Sequence, residues 1–164
     1  MNKKIQAGWE SLMSVEAKPN QASYIDVLDN WLMNFYKALI NRNKQHIEEL
    51  FDNSCYWRDV IGFHNDIKTF DGHANVCEAW IHAHNSQNIK TIALAEGRKP
   101  PAIATRAGVK CLEAIITFSN EKGTGDGVIR LICNKDGQWV AWTISTNLRK
   151  LSHHADHSIK HRFG

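Results

Sequence analysis

The apolar residues of this chain change period along its length, and that change restricts the fold more than any other feature. Up to about Asn85 a spacing of three and four dominates, interrupted by two short strand-like runs; from residue 90 onward the spacing is two. Over 23–41, Tyr24, Val27, Leu28, Trp31, Leu32, Phe35, Leu39 and Ile40 recur at helical intervals, which lays one apolar stripe along a long helix. Ser23 is placed to cap this helix, and Asp26 adds an acidic residue to its first turn. Asn41-Arg42-Asn43 ends it, and Ile47, Leu50 and Phe51 mark a second, short helix. Residues 54–60 and 67–70 read as strands, and His73 to about Asn85 as a third helix with Val76, Trp80 and Ile81 inward. Segments 90–95, 102–106, 109–119, 126–134 and 138–147 then alternate as strands do. Asp136-Gly137 marks a hairpin between the last two, Pro100-Pro101 an edge or turn, and residues 121–127 a glycine-rich connection. Helices first and antiparallel strands last specify an α+β fold, with the helices on one face of a curved sheet. The three longest strand segments, 109–119, 126–134 and 138–147, belong in its middle.

A chain of 164 residues has the size of one domain and needs no staples to fold. Three regions are expected: an N-terminal helix or arm over 1–20, with Ile5, Trp9, Leu12 and Met13 on one face; a folded domain over 21–150; and a polar, His-rich tail over 151–164. A net charge of +3, with basic residues scattered and not interleaved with aromatics, argues against a nucleic-acid partner. There is no N-terminal apolar core of a signal peptide and no apolar run of about 18 residues. No membrane association is expected, and the expected location is the cytoplasm. Cys55, Cys77, Cys111 and Cys133 contain no C-x-x-C pair, so free buried thiols are expected in a reducing compartment, with a Cys111–Cys133 disulfide as the lesser alternative.

The chemistry concentrates in residues 56–72. Tyr56-Trp57-Arg58-Asp59 is followed by a loop with His64 and Asp66, then by Thr69-Phe70-Asp71-Gly72, which opens a helix. A carboxylate, an imidazole and large aromatics together point to the mouth of a pocket. His82 and His84 do not share a helix face, so joint metal ligation is not expected. His153, His157 and His161 fall four apart in the tail, and no metal is expected there either. The glycines of 123–127 lead into a strand, which makes them a turn rather than a dinucleotide site, and no cofactor is expected.

Four segments in order, Tyr56 to Asp59, Thr69 to Gly72, Gly125 to Arg130 and Trp139 to Thr143, resemble the SnoaL-like branch of the nuclear transport factor 2-like superfamily. They are most similar to the N-terminal domain that precedes the flavin domain in some bacterial flavin-containing monooxygenases. The resemblance spans about residues 24–150 and implies a cone-shaped curved antiparallel sheet wrapped around the N-terminal helices, with a pocket at its wide end. The flavin domain itself has no counterpart here, so the resemblance is to a standalone form or a fragment of the accessory domain. Members of the superfamily include isomerases, dehydratases, cyclases and binding domains, so fold leaves function open.

By similarity to ketosteroid isomerase in the same superfamily, Asp59 stands where a catalytic base would sit, and Tyr36 where a hydroxyl would support a developing oxyanion. Arg130 stands where that enzyme carries a second acid, and a cation there favours an anionic or carbonyl-bearing ligand. The structural alternative pairs Asp59 with Arg58 or Arg130 as a buried ion pair. His64 and Asp66 form either an acid–base pair, as His and Asp do in dehydratase-like relatives, or part of a solvated loop, a lid or an interface. The resemblance therefore implies binding of a small hydrophobic or aromatic carbonyl or carboxylate ligand. Tyr36, Phe35, Trp57, Asp59, Phe70, Trp80, Arg130 and Trp142 would surround it, as an accessory to a monooxygenase. The alternatives are an isomerase or dehydratase using Asp59, His64 and Tyr36, and a structural dimerisation module. A homodimer is expected because strands 109–119 and 126–134 offer Leu112, Ile116, Phe118 and Ile129 on alternating faces, not all of which the helices can bury.

Overall fold

The stripe of apolar residues over 23–41 lies on α1 (Gln21–Ile40) in a computed structural model that describes residues 21–152. The expected arm around Ile5, Trp9, Leu12 and Met13 and the tail histidines His153, His157 and His161 lie outside the described residues. Leu28, Trp31, Leu32, Phe35 and Leu39 of α1 are buried, as the stripe requires. The short α2 (Lys44–Glu49) starts at Asn43, whose side-chain oxygen accepts from the His46 amide at 3.1 Å; this satisfies one of the free amides of the first turn. Phe51, grouped above with the short helix, instead begins β1 (Phe51–Val60). Its ring packs edge-on against Trp31 and Phe35, both at 5.6 Å, so tertiary packing places it in the sheet. There follow β2 (Ile67–Asp71), α3 (His73–Gln87), β3 (Thr91–Leu94), β4 (Ala102–Arg106), β5 (Val109–Ser119), β6 (Gly123–Cys133) and β7 (Trp139–Leu151).

These seven strands form one curved, unclosed sheet in the order β2-β1-β7-β6-β5-β3, with β4 also paired to β5. The three longest strands occupy the middle, as their length suggested. One pairing departs from an all-antiparallel sheet: β1 runs parallel to β7, which is open to it because the whole of the intervening chain connects the two. The glycine-rich stretch 123–127 is strand and not connection. At Gly125 an added Cβ would stand 2.1 Å from the Asn147 carbonyl oxygen and 2.5 Å from the Phe118 ring. That position is therefore glycine because strand and ring close on it, and not because the chain turns there.

One face of the sheet meets the helices. Leu112, Ala114, Ile116 and Phe118 alternate along β5 and pair with Leu131, Ile129, Gly127 and Gly125 of β6. Leu112, Ile116, Phe118 and Ile129 thus share a single face, and all four are buried. They leave no surplus of apolar residues, and the argument for a dimer drawn from them does not hold. The interior is closed by aromatic rings. Trp57 and Trp80 stack at 3.7 Å with 12° between their planes, Phe63 stacks on Phe118 at 4.6 Å, and Phe35 meets Trp80 edge-on at 5.1 Å. Phe35, Trp57 and Trp80 have no exposed surface. They fill the cone and do not line an open cavity within it. All four cysteines are free and buried. Burial pushes the Cys55 and Cys77 thiols up to about 12, so both stay protonated across the physiological range.

The opposite face carries ion pairs. Arg130, between the buried Ile129 and Leu131, points away from the helices; its Nε donates to Glu113 at 2.7 Å and its Nη1 to Thr143 at 3.3 Å. Arg106 adds a two-pronged pair to the same carboxylate, both contacts at 2.9 Å. Trp142 is the extra residue of a bulge opposite Arg130 and Leu131, and packs with Cys111, Ile132 and Val140 in a second small cluster. Neither Arg130 nor Trp142 reaches the side of the sheet that holds Asp59.

Two outcomes follow from this packing. The Trp57 indole N–H donates to Thr146 at 3.0 Å, whereas the buried Trp80 indole N–H has no partner among the described residues. Trp57→Phe is therefore expected to destabilise more than Trp80→Phe, by roughly 1 kcal/mol in urea unfolding; equal costs or the reverse order would refute this account. Glu113 is held down at about 2, first by hydrogen bonds from Arg106, against burial, and further by Arg130. A carboxyl depressed in the folded state stabilises fully above its ordinary unfolded value and loses that contribution as pH falls toward 2. Glu113→Gln should lower the melting temperature by about 2–4 °C at pH 7, with a gap that narrows steadily from pH 5 to pH 3; a gap independent of pH would show that the charge is not what matters.

Candidate functional site

Inward-facing positions on β1 alternate: Cys55, Trp57 and Asp59 are buried while Arg58 is exposed. Asp59 stands in register with Thr146 of β7 and has no exposed surface. A carboxylate in that position must have its lone pairs filled by donors, and five donors fill them. Oδ1 accepts from the Gly62 amide at 3.1 Å and from the Thr146 hydroxyl at 2.6 Å. Oδ2 accepts from the Phe63 amide at 2.9 Å, the His64 amide at 3.1 Å and His64 Nδ1 at 2.7 Å. Three successive amides thus turn toward one side chain, which bends the chain back over the end of β1.

The bend carries strain and is clamped to offset it. Ile61 sits at φ 52°, a left-handed conformation that costs a β-branched residue about 1–3 kcal/mol. A Cβ at Gly62 would lie 2.7 Å from Asp59 Oδ1 and 2.9 Å from the Phe118 ring, so no larger residue fits beneath the turn. From the far side, Asn120 Nδ2 donates to the Gly62 carbonyl at 2.9 Å. The Lys122 ammonium donates to the Ile61 carbonyl at 2.8 Å and to the His64 carbonyl. Burial pushes the Lys122 amine down, and the Asp59 charge opposes that shift.

The product of this clamp is a fixed imidazole. The His64 ring packs, tilted, against the edge of the stacked Trp57–Phe70 pair, 5.5 Å from Trp57 and 5.3 Å from Phe70, and its side chain is 15% exposed. Nδ1 is committed to Asp59, while Nε2 has no partner among the described residues. His64 lines a groove of about 620 Å³ between β2 and α3, together with Phe70, Asp71, Glu78 and His82.

The residues expected to gather at one site therefore divide. Asp59, His64, Trp57 and Phe70 come together, with Trp80 behind them on the Trp57 ring. Tyr36 does not join Asp59: its hydroxyl donates to the Lys90 carbonyl at 2.8 Å. Phe35 stays in the core, and Arg130 and Trp142 face the other way. The carboxylate of His64 is Asp59 rather than Asp66, whose exposed side chain stands 3.7 Å from Lys68. Asp59 pairs with neither Arg58 nor Arg130. Among the described residues no three His, Cys, Asp or Glu side chains stand together as a metal site would need, and no helix is long and apolar enough to cross a membrane. Thr146, Asn120, Lys122 and Gly62 complete the site without having been singled out in the sequence. Only Gly62 had a local signal, since an Asp followed by a tight glycine turn is a common way for a side chain to capture backbone amides.

Asp59→Asn tests whether this carboxylate is a clamp or a strained reactive group. An amide would point N–H at one or more of the five donors. Hydrogen bonds to a charged group are worth about 1.5–3 kcal/mol each, so a loss of about 2–4 kcal/mol is expected in urea unfolding. A stabilising effect would mean the carboxylate is held against its own preference and the clamp reading fails.

No protein-family model matches the chain, and no curated protein matches it. Solved structures do. A nuclear transport factor 2-like superfamily protein from Salmonella enterica serovar Typhimurium is 12% identical, covering 82% of this chain and 98% of its own, with a TM-score of 0.52. A protein with a cystatin-like fold from Novosphingobium aromaticivorans, also described as nuclear transport factor 2-like, is 11% identical, covering 80% and 86% with a TM-score of 0.50. A DUF4783 family protein from Bacteroides uniformis is 8% identical, covering 72% and 96%, again at 0.50. At such identities the likeness is one of backbone architecture alone, and it agrees with the sheet and helices described above: the chain has the nuclear transport factor 2-like fold.

Proposed function

We propose that this chain is a small-molecule pocket protein whose working site is the groove at His64 and not the interior of the cone. The observation that carries this reading is the Asp59–His64 pair. A buried, fully satisfied carboxylate holds one imidazole nitrogen at 2.7 Å and leaves the other without a partner among the described residues, beside a groove. A loop that needed no ligand would gain little from a strained backbone and eight clamping contacts. The groove's volume falls within the roughly 300–1,000 Å³ usual for small-molecule sites, and Phe70 gives it an aromatic wall. A hydrophobic or aromatic ligand with a polar oxygen suits it. The expectation of a carbonyl or carboxylate on that ligand rested on Arg130 standing near Asp59, and Arg130 lies on the other face.

A second reading is favoured by the same pair. A carboxylate that orients an imidazole is the arrangement of a general base, with the imidazole touching substrate and the carboxylate positioning it. On this reading His64, and not Asp59, would exchange the proton in an isomerase or dehydratase. The four resembling segments support a role beside a flavin-containing monooxygenase, and a second copy of the chain through the outer sheet face is the protein partner we propose. Four free buried thiols suit a reducing compartment such as the cytoplasm.

A thermal-shift screen of aromatic ketones, indole acids and steroids against wild type and His64→Gln tests the site. A ligand at 100 times its dissociation constant adds about 2.7 kcal/mol, which raises the melting temperature by roughly 5 °C or more in a domain of this size. The shift should fall sharply in His64→Gln. Equal shifts in both proteins would move the site away from the groove. No shift with any compound would favour a dimerisation module with a filled interior.

A further inference from the structure

We infer that the groove at His64 selects a neutral, hydroxyl-bearing aromatic molecule, a phenol or an enol, over a carboxylate. This rests on the reading of the groove as the working site and names the ligand class that the site takes.

The first argument is the direction of a chain of hydrogen bonds. The indole N–H of Trp57 can only donate, so Thr146 Oγ1 accepts it, at 3.0 Å. The single hydroxyl proton of Thr146 then goes to Asp59 Oδ1, at 2.6 Å. The remaining protein neighbours of the carboxylate are the amides of Gly62, Phe63 and His64, all donors. The carboxylate is thus an acceptor throughout, and the imidazole nitrogen 2.7 Å from Oδ2 must carry a proton to bond it. In the neutral ring only one nitrogen is protonated. With that proton on Nδ1, Nε2 presents a lone pair. A ligand hydroxyl can donate to it; a carbonyl or carboxylate offers only acceptors and cannot.

The second argument is charge. Asp71 and Glu78 line the groove, and no Lys or Arg does among the described residues. A carboxylate ligand would meet like charge with no Lys or Arg on the described lining to balance it. Phe70, stacked on Trp57 at 5.3 Å, offers a supported ring face to an aromatic ligand. Hydroxyl and ring together match what the groove presents.

The test uses the full chain with 15N-labelled histidine at pH 8, titrated with 4-ethylphenol and with 4-ethylbenzoate. The expected result has three parts. The free protein shows His64 as the Nδ1–H tautomer; 4-ethylphenol moves the Nε2 resonance; and it binds at least tenfold tighter than 4-ethylbenzoate. His64→Gln should weaken the phenol at least tenfold. A benzoate that binds at His64 as well as the phenol, or an Nε2–H tautomer in the free protein, overturns the selectivity and leaves the groove as a site. If neither compound perturbs His64, the inference falls together with the reading of the groove on which it rests.

Discussion

A single buried carboxylate organises the functional end of this protein. Asp59 could be left alone at the end of β1 only at a large desolvation cost. The chain meets that cost by turning the three amides of Gly62, Phe63 and His64 onto it and adding the Thr146 hydroxyl and the His64 ring. Because the donors come from the loop itself, satisfying the charge and shaping the loop are one event. The left-handed Ile61 is tolerated for the same reason: its strain is smaller than the penalty of an unsatisfied carboxylate. What emerges is a histidine whose ring is held from one nitrogen and packed against the stacked rings of Trp57 and Phe70.

The aromatic interior explains why the site is at the rim. Trp57 joins the two regions: its ring stacks on Trp80 in the core while its N–H feeds the Thr146–Asp59 chain. A cone with an open middle would need small side chains at these positions. Here the rings of Phe35, Trp57, Phe63, Trp80 and Phe118 occupy the space, and Gly125 gives the Phe118 ring its clearance. Core stability and site geometry are consequently coupled, since a shift of the Trp57 ring displaces both. The outer face is built on a different principle. There Glu113 is bracketed by Arg106 and Arg130, so charges that would be costly among the rings are confined to the side that faces away from them.

The helices and strands were largely legible because their periodicity is local. The stripe from Tyr24 to Ile40 fits only a helix, and 109–119 is an apolar-rich run with polar residues at Lys110, Glu113, Thr117 and Ser119. The errors fell where a contact distant in sequence overrode a local signal. Phe51 follows a helical run but is drawn into β1 by Trp31, Phe35 and its pairing with Ala141. The glycines of 123–127 look like a turn but serve close packing. Arg130 looked like a cavity residue by its similarity to the position of ketosteroid isomerase's second acid, and a position in a strand does not by itself say which face is inward. That depends on the partners of Ile129 and Leu131.

At the site the division is the same. Residue types and order alone determined an α+β chain with helices before strands, four thiols with no pairing motif, and a cluster of Asp, His and aromatic residues at 56–72. They singled out both Asp59 and His64. Only the tertiary structure decided that these two are partners, that Tyr36, Arg130 and Trp142 are elsewhere, and that Asp59 is enclosed while His64 reaches the groove. The reason is distance along the chain. Thr146, Asn120 and Lys122 lie about 60 to 90 residues from the loop they hold, and no local pattern encodes which strand will bring a hydroxyl, an amide or an ammonium to a carboxylate and its turn.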